Sequence, residues 1–245
     1  MTTPRTAAAL LALAALAYSA WTLEAVLPTG LPPAHTYVSE LAARDQPYGA
    51  LFRTTDLLAG VCVCVFVCTA GLPVFRGRPP GGPGAQAGRA GLLLFGAATA
   101  VDSRLPLSCT PTADPGCAAR ETAGLVPPAH SAHTVSSTVA LCGILVAMVA
   151  LTLTARRCAP RSPLARSGPG LVAFELAATA WTLAAIAVLE TGRDGWGVGG
   201  VGIAQRLQVG VIAIWLGALA VSLLRVPLPR APLLRVPHRE ADARP

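Results

Sequence analysis

Lysine is absent from this chain of 245 residues, so every one of its 19 positive side chains is an arginine. Charged residues are scarce as well, at 13%, and aromatic rings scarcer, at 5%. So few charges do not suit the surface of a soluble domain, and so few rings argue against a water-soluble core built around large aromatics. What fills the chain instead is Ala, Leu, Val and Gly: hydrophobic residues reach 53% and the mean hydropathy is +0.57. They come in long blocks rather than short alternating runs, which is the pattern of membrane spans. The missing lysine, with the richness in Ala, Gly and Pro, points to a GC-rich host genome. A formal net charge of +7 would suit nucleic acid, but the arginines sit in short loops between apolar blocks, where they act as topology signals. Nucleic acid is therefore not an expected partner, and the lipid bilayer is.

A helix needs about 20 apolar residues to cross the hydrocarbon layer. Six blocks reach or approach that length: residues 7–27, 50–75, 90–105, 130–155, 170–190 and 205–224. The expected fold class is all-α, a polytopic bundle of six transmembrane helices forming one domain over residues 1–225, because backbone groups in lipid must pair within their own segment. The run that follows Arg5 continues to Leu27 with no small-residue cleavage site, so it reads as a retained first span. Arg5, the stretch 76–89, the stretch 156–166 and the tail from Arg225 hold 13 arginines between them. The opposite loops hold fewer, and carry Glu40, Asp45, Asp102, Asp114, Glu121, Glu190 and Asp194. The positive-inside rule then places both termini in the cytoplasm and the protein in the cytoplasmic, or inner, membrane. The Gly- and Pro-rich stretch 76–89 reads as a flexible linker, and residues 226–245 as a disordered cytoplasmic tail.

Polar side chains within a membrane are costly, so their positions are the functional signal. They gather toward the outer side: Glu24 late in the first span, His35, Ser39 and Glu40 in the first outer loop, and Arg53 and Asp56 early in the second span. Asp102 and Arg104 end the third span, His130 and His133 open the fourth, and Glu190, Gln205 and Arg206 border the last outer loop. Glu175, near the inner end of the fifth span, is the exception, and reads as a side chain that reaches the interface. Residues three apart on a helix are neighbours, so His130 and His133 share a face. With Asp102 and His35 they form a candidate zinc set, and a metal-bound water beside Ser39 would make a hydrolytic site with Ser39, Asp102, His130 and His133 as catalytic candidates. Hydrogen-bonded structural histidines are the competing reading, and on it no cofactor is expected. Arg53 with Asp56, and Arg206 with Glu190 or Glu24, are candidate charge pairs that lock helices together without catalysis. Cys109 and Cys117 share the long outer loop and are a candidate disulfide, the alternatives being two free thiols or a metal pair. Cys62, Cys64, Cys68 and Cys142 fall inside spans, where cysteine behaves as a small apolar residue.

The segment HTYVSELAARDQPYGALFRTTDLLAG, residues 35–60, resembles the signature of a bacterial membrane family known as domain of unknown function 998. The residues that carry it are Tyr37, Ser39, Glu40 and Leu41 after the first span, then Pro47 before Leu51 and Phe52. VDSRLPLSCTPTADPGC, the HSAHTVSS opening of the fourth span and the Gln205–Arg206 pair resemble actinobacterial members, so the similarity covers nearly the whole chain. It implies a membrane protein and supplies no activity. A second similarity, through Tyr37-Val38-Ser39, is to the six-helix Frag1/DRAM/Sfk1 group, some members of which are linked to lipid remodelling or membrane organisation; no functional residue carries over from it.

Three functions follow as expectations. The first is a non-enzymatic membrane protein that meets lipid or a protein partner through its polar outer face. The second is a membrane-embedded, metal-dependent lipid hydrolase. A small transporter is the third, and continuous apolar inner halves of the spans count against it.

Overall fold

Among the described residues, proline opens five of the seven α-helices, at Pro4, Pro83, Pro115, Pro128 and Pro163. Its fixed φ suits the first helical turn, and its missing N–H is one the helix leaves unpaired there in any case. In the computed structural model, which describes residues 3–70, 82–191 and 200–225, these helices are α1 (Pro4–Tyr18), α2 (Gly49–Ala70), α3 (Pro83–Asp102), α4 (Pro115–Thr122), α5 (Pro128–Cys158), α6 (Pro163–Thr191) and α7 (Val201–Leu224). Two short 3-10 turns, Ala20–Ala25 and Val38–Ala42, lie between α1 and α2. The expected tail, 226–245, lies outside the described residues.

Several boundaries differ from the expectation; α6, for one, begins at Pro163 rather than at residue 170, so the end of the stretch 156–166 is helical. The first span is not one α-helix to Leu27. The N–H of Ser19 takes the carbonyls of Ala15 and Leu16 at 3.1 Å and its hydroxyl donates to Ala15 at 2.8 Å, closing α1, after which the chain tightens into a 3-10 turn. The third helix begins seven residues earlier than the apolar block, at Pro83, and ends at Asp102. Part of the expected linker is therefore helical, because Pro83 supplies a helix start that the Gly-rich composition hides. The outer loop also carries α4, which the sequence reading passes over; Asp114 caps it by accepting from the N–H of Gly116 at 2.8 Å.

The long helices close into a ring in the order α1, α2, α3, α5, α6, α7 and back to α1. Among the described residues five segments are long and apolar enough to cross a membrane: Pro4–Ala25, Gly49–Thr69, Pro128–Cys158, Pro163–Leu189 and Val201–Leu224. They make this a protein of multi-pass membrane type. The sixth stave, α3, is as long but opens on the polar run PGAQAGR and is not among those five. It is held on both sides by glycine. A Cβ on Gly60 of α2 would stand 2.6 Å from the carbonyl oxygen of Gly96, and one on Gly91 would stand 2.6 Å from that of Gly143 in α5. Such close backbone approach is how helices associate in lipid, where no hydrophobic force drives them together. The thinnest seam of the ring lies between α5 and α6.

Candidate functional site

The loops at the disulfide end are tied down by buried charge. Arg206 of α7, 7% exposed, grips Glu24 with Nε on Oε1 and Nη2 on Oε2, both at 2.6 Å, and its Nη1 donates to the carbonyl oxygens of Thr36 at 2.8 Å and Gly202 at 3.1 Å. Two-pronged geometry with the third guanidinium nitrogen bonded to backbone carbonyls is the arrangement in which a buried ion pair holds a fold together. Of the two partners expected for Arg206 the structure uses Glu24; the side chain of Glu190 lies outside the described residues. Next to it, the Gln205 side-chain oxygen accepts from the N–H of Val38 at 2.5 Å. Glu40, fully buried, accepts from the N–H of Tyr37 at 2.8 Å, the N–H of Thr112 at 2.7 Å and the Thr112 hydroxyl, joining the first loop to the loop that carries the disulfide. Burial pushes its carboxyl above the ordinary 4.5, against the opposing pull of the Thr112 and Tyr37 hydrogen bonds. Cys109 and Cys117 are disulfide-bonded, with their Cα atoms 5.9 Å apart.

Beneath this cap the ring encloses a cavity of about 1270 Å³. Tyr37, Ser39 and Thr112 lie at its roof, and Gln208 and Ile212 of α7 line it deeper down. One wall is apolar: Leu141 and Ile144 of α5 and Ile186 and Leu189 of α6. Tyr18 and Phe95 add an edge-to-face ring pair, with centroids 5.4 Å apart. The chemistry gathers on α2, α3 and the outer end of α5, with Asp56, Thr99 and Asp102, and with His133 and Ser137 on the same face of α5 as Leu141 but nearer the roof.

Asp102 is the centre of that group. It accepts from the hydroxyls of Ser136 and Ser137, the latter at 3.1 Å to each carboxylate oxygen, and lies 3.1 Å from Nδ1 of His133. Ser137 Oγ is 3.4 Å from Nε2 of the same His133. The two serines were not singled out from the sequence, although they stand three and four positions after His133 and so share its helix face. His130 does not join them. Its Nδ1 accepts from the N–H of Ser108 at 3.0 Å, and its Nε2 lies 3.5 Å from Glu121. His35 and Ser39 line the cavity roof. Among the described residues no three His, Cys, Asp or Glu side chains form a group that could hold a metal ion.

Two expected placements are corrected. Arg53 does not pair with Asp56; it turns back to the carbonyl oxygens of Ala42 at 2.7 Å and Ala43 at 3.3 Å, at the end of the second 3-10 turn. Asp56 thus faces the cavity with no hydrogen bond or ion pair among the described residues. Glu175 does not reach an interface either. It is fully buried in α6, one turn from Thr179, whose hydroxyl accepts from Gln208 Nε2 at 2.7 Å.

No curated protein and no solved structure matches the chain. The family model described as "Protein of unknown function (DUF998)" matches residues 11–222, most of the sequence and all of the ring apart from the first residues of α1 and the last of α7, and the chain belongs to that family.

Proposed function

We propose that this is a non-enzymatic integral membrane protein that holds one amphiphile in its cavity, chain against the α5–α6 wall and polar group against Asp56 and Asp102, with the disulfide end outside the cytoplasm. One observation carries the reading: a single space of about 1270 Å³ is lined by polar groups in one part and by apolar side chains in another, among them Leu183 and Leu189, which are 59% and 50% exposed. These residues stand on α6 beside the thin α5–α6 seam, and entry of an alkyl chain at that seam is part of the proposal. Ligand sites of this kind are mostly apolar with a few convergent polar groups. The arginine distribution and the disulfide support the orientation.

The test uses the full chain in lipid nanodiscs and a neutral alkyl alcohol bearing a photoactivatable diazirine. Labelling is expected on the α5 and α6 peptides that line the cavity, and loss of it when Ala185, a buried lining residue, is replaced by Trp. Labelling spread evenly over the outer faces of all helices, and unchanged in Ala185→Trp, refutes the reading.

The hydrolase reading gains one observation of its own. Ser137, His133 and Asp102 stand in the order in which a carboxylate orients an imidazole beside a serine. However, the Ser137 hydroxyl lies closer to the carboxylate than to the imidazole, which makes it a donor to Asp102 rather than an activated nucleophile. A fluorophosphonate probe decides between the two: covalent labelling that disappears in Ser137→Ala establishes the hydrolase. Zinc retained by the purified chain and lost on replacing His133 would do the same for its metal-dependent form.

A further inference from the structure

The chain carries seven more positive than negative side chains, yet no arginine is among the described residues that line the cavity. Two arginines close in sequence to lining residues are already occupied, Arg206 by Glu24 and backbone carbonyls and Arg53 by the carbonyls of Ala42 and Ala43. Arg44, Arg104 and Arg120, at the same end of the ring, are exposed and stand outside the lining. The lining instead holds the carboxyl groups of Asp56, Asp102 and Glu121, with His35 and His133.

Asp56 makes no hydrogen bond or ion pair among the described residues, and the charged groups that act on it are Asp102 and His133. Thr99 and Thr182, lining residues each 6% exposed, have hydroxyls without a hydrogen-bond partner among the described residues. A carboxylate facing a low-dielectric space is stabilised by a cation, and a phosphate or sulfate placed beside it would meet repulsion with no arginine to offset it.

We infer that the polar group of the cavity's ligand is an ammonium, so that the ligand is an amphiphilic amine or the amine end of a lipid headgroup, held by Asp56 and Asp102 with its alkyl portion along α5 and α6. This rests on the amphiphile reading above and narrows it. A primary ammonium brings three N–H donors to the two carboxylates, and Tyr18 and Trp21, residues of the type that attract a cation, line the same space.

The experiment compares three diazirine alkyl probes of one chain length in nanodiscs: a primary ammonium, the neutral alcohol and a phosphate. The ammonium is expected to label the cavity peptides at a concentration lower than the phosphate by about tenfold, the size of one charge-assisted hydrogen bond lost. Asp56→Asn, which removes the charge and keeps the side-chain size, is expected to erase that preference by bringing ammonium labelling down to the level of the alcohol. A diazirine phosphatidylethanolamine separates the two sources: labelling at the level of the ammonium assigns a membrane lipid, and its absence beside strong ammonium labelling assigns a free amphiphilic amine. Equal labelling by all three probes, still blocked by Ala185→Trp, overturns the ammonium inference and leaves the amphiphile site standing. No cavity labelling by any probe overturns both.

Discussion

The interior of the ring is built in two ways. Away from the disulfide end, Trp215 of α7 is fully buried with Phe66, Met148, Leu151, Leu216 and Leu219, and its indole N–H donates to the Thr152 hydroxyl of α5 at 3.2 Å, across the ring. Toward the disulfide end the same helices enclose a cavity of about 1270 Å³ with unpaired polar groups in its lining. In lipid, where helices gain little from burying apolar surface against one another, stability comes from close contact, so it resides in the filled half. The hollow half gives up those contacts, and is held instead from above by the Arg206–Glu24 pair, the Glu40 hydrogen bonds and the disulfide.

The largest effect expected from this contrast is that of emptying the filled half. Trp215→Ala should cost about 3–5 kcal/mol, as large-to-small changes at buried aromatics do. Filling the hollow half with Ala185→Leu should cost less, about 1–2 kcal/mol, since the buried Ala185 must be displaced but the cavity it lines takes up part of the added volume. Thermal unfolding midpoints of the purified chains in one mild detergent make the comparison. If both variants lose the same stability, the two halves are energetically alike and the contrast fails.

A second pair of variants sharpens it at the seams. Gly91→Ala puts a methyl 2.6 Å from the Gly143 carbonyl oxygen and should cost about 1–3 kcal/mol, because backbone on both sides must move. Gly170→Ala in α6 meets nothing within 4 Å and should be neutral or stabilising by up to about 1 kcal/mol, from helix propensity alone. Equal losses would mean that α6 is as tightly packed as α3, and would remove the argument for access through the α5–α6 seam.

How far the sequence allowed these features to be read follows from what periodicity encodes. Long apolar blocks announce helices whatever their neighbours, so α2, α5, α6 and α7 were legible, and two cysteines eight positions apart in a polar loop were enough to suggest their bond. Spacing along one helix says which residues share a face, but not which helix that face meets. That is why Arg53 and Asp56, three apart, read as a pair although Arg53 turns to a loop and Asp56 to the cavity. His130 and His133 share a spacing too, yet Ser108 takes the first and Asp102 the second. Glu175 was misplaced for the same reason, since a carboxyl among apolar residues looks interfacial until α7 is known to cover it with Gln208 nearby. Ser136 and Ser137 were passed over because serine is common in helices of this composition; the signal that finds them is their offset from His133 combined with an acid closing the preceding helix.

The smallest effect concerns the cap over the hollow half, and it is a pH dependence. Burial holds the Glu40 carboxyl above its ordinary 4.5, so between that value and its folded pKa the folded chain binds more protons at this site than the unfolded chain. Stability from Glu40 is therefore fully present below 4.5 and is lost as pH rises through the raised folded pKa. Unfolding midpoints taken in steps from about pH 4 to about pH 7 should fall over that window in the parent chain. Glu40→Gln, which keeps one oxygen to accept from Thr112 and removes the titration, should flatten that part of the profile. A slope of the same size in both chains would assign the dependence to another group, and would mean that the Thr112 and Tyr37 hydrogen bonds fully offset the burial of Glu40.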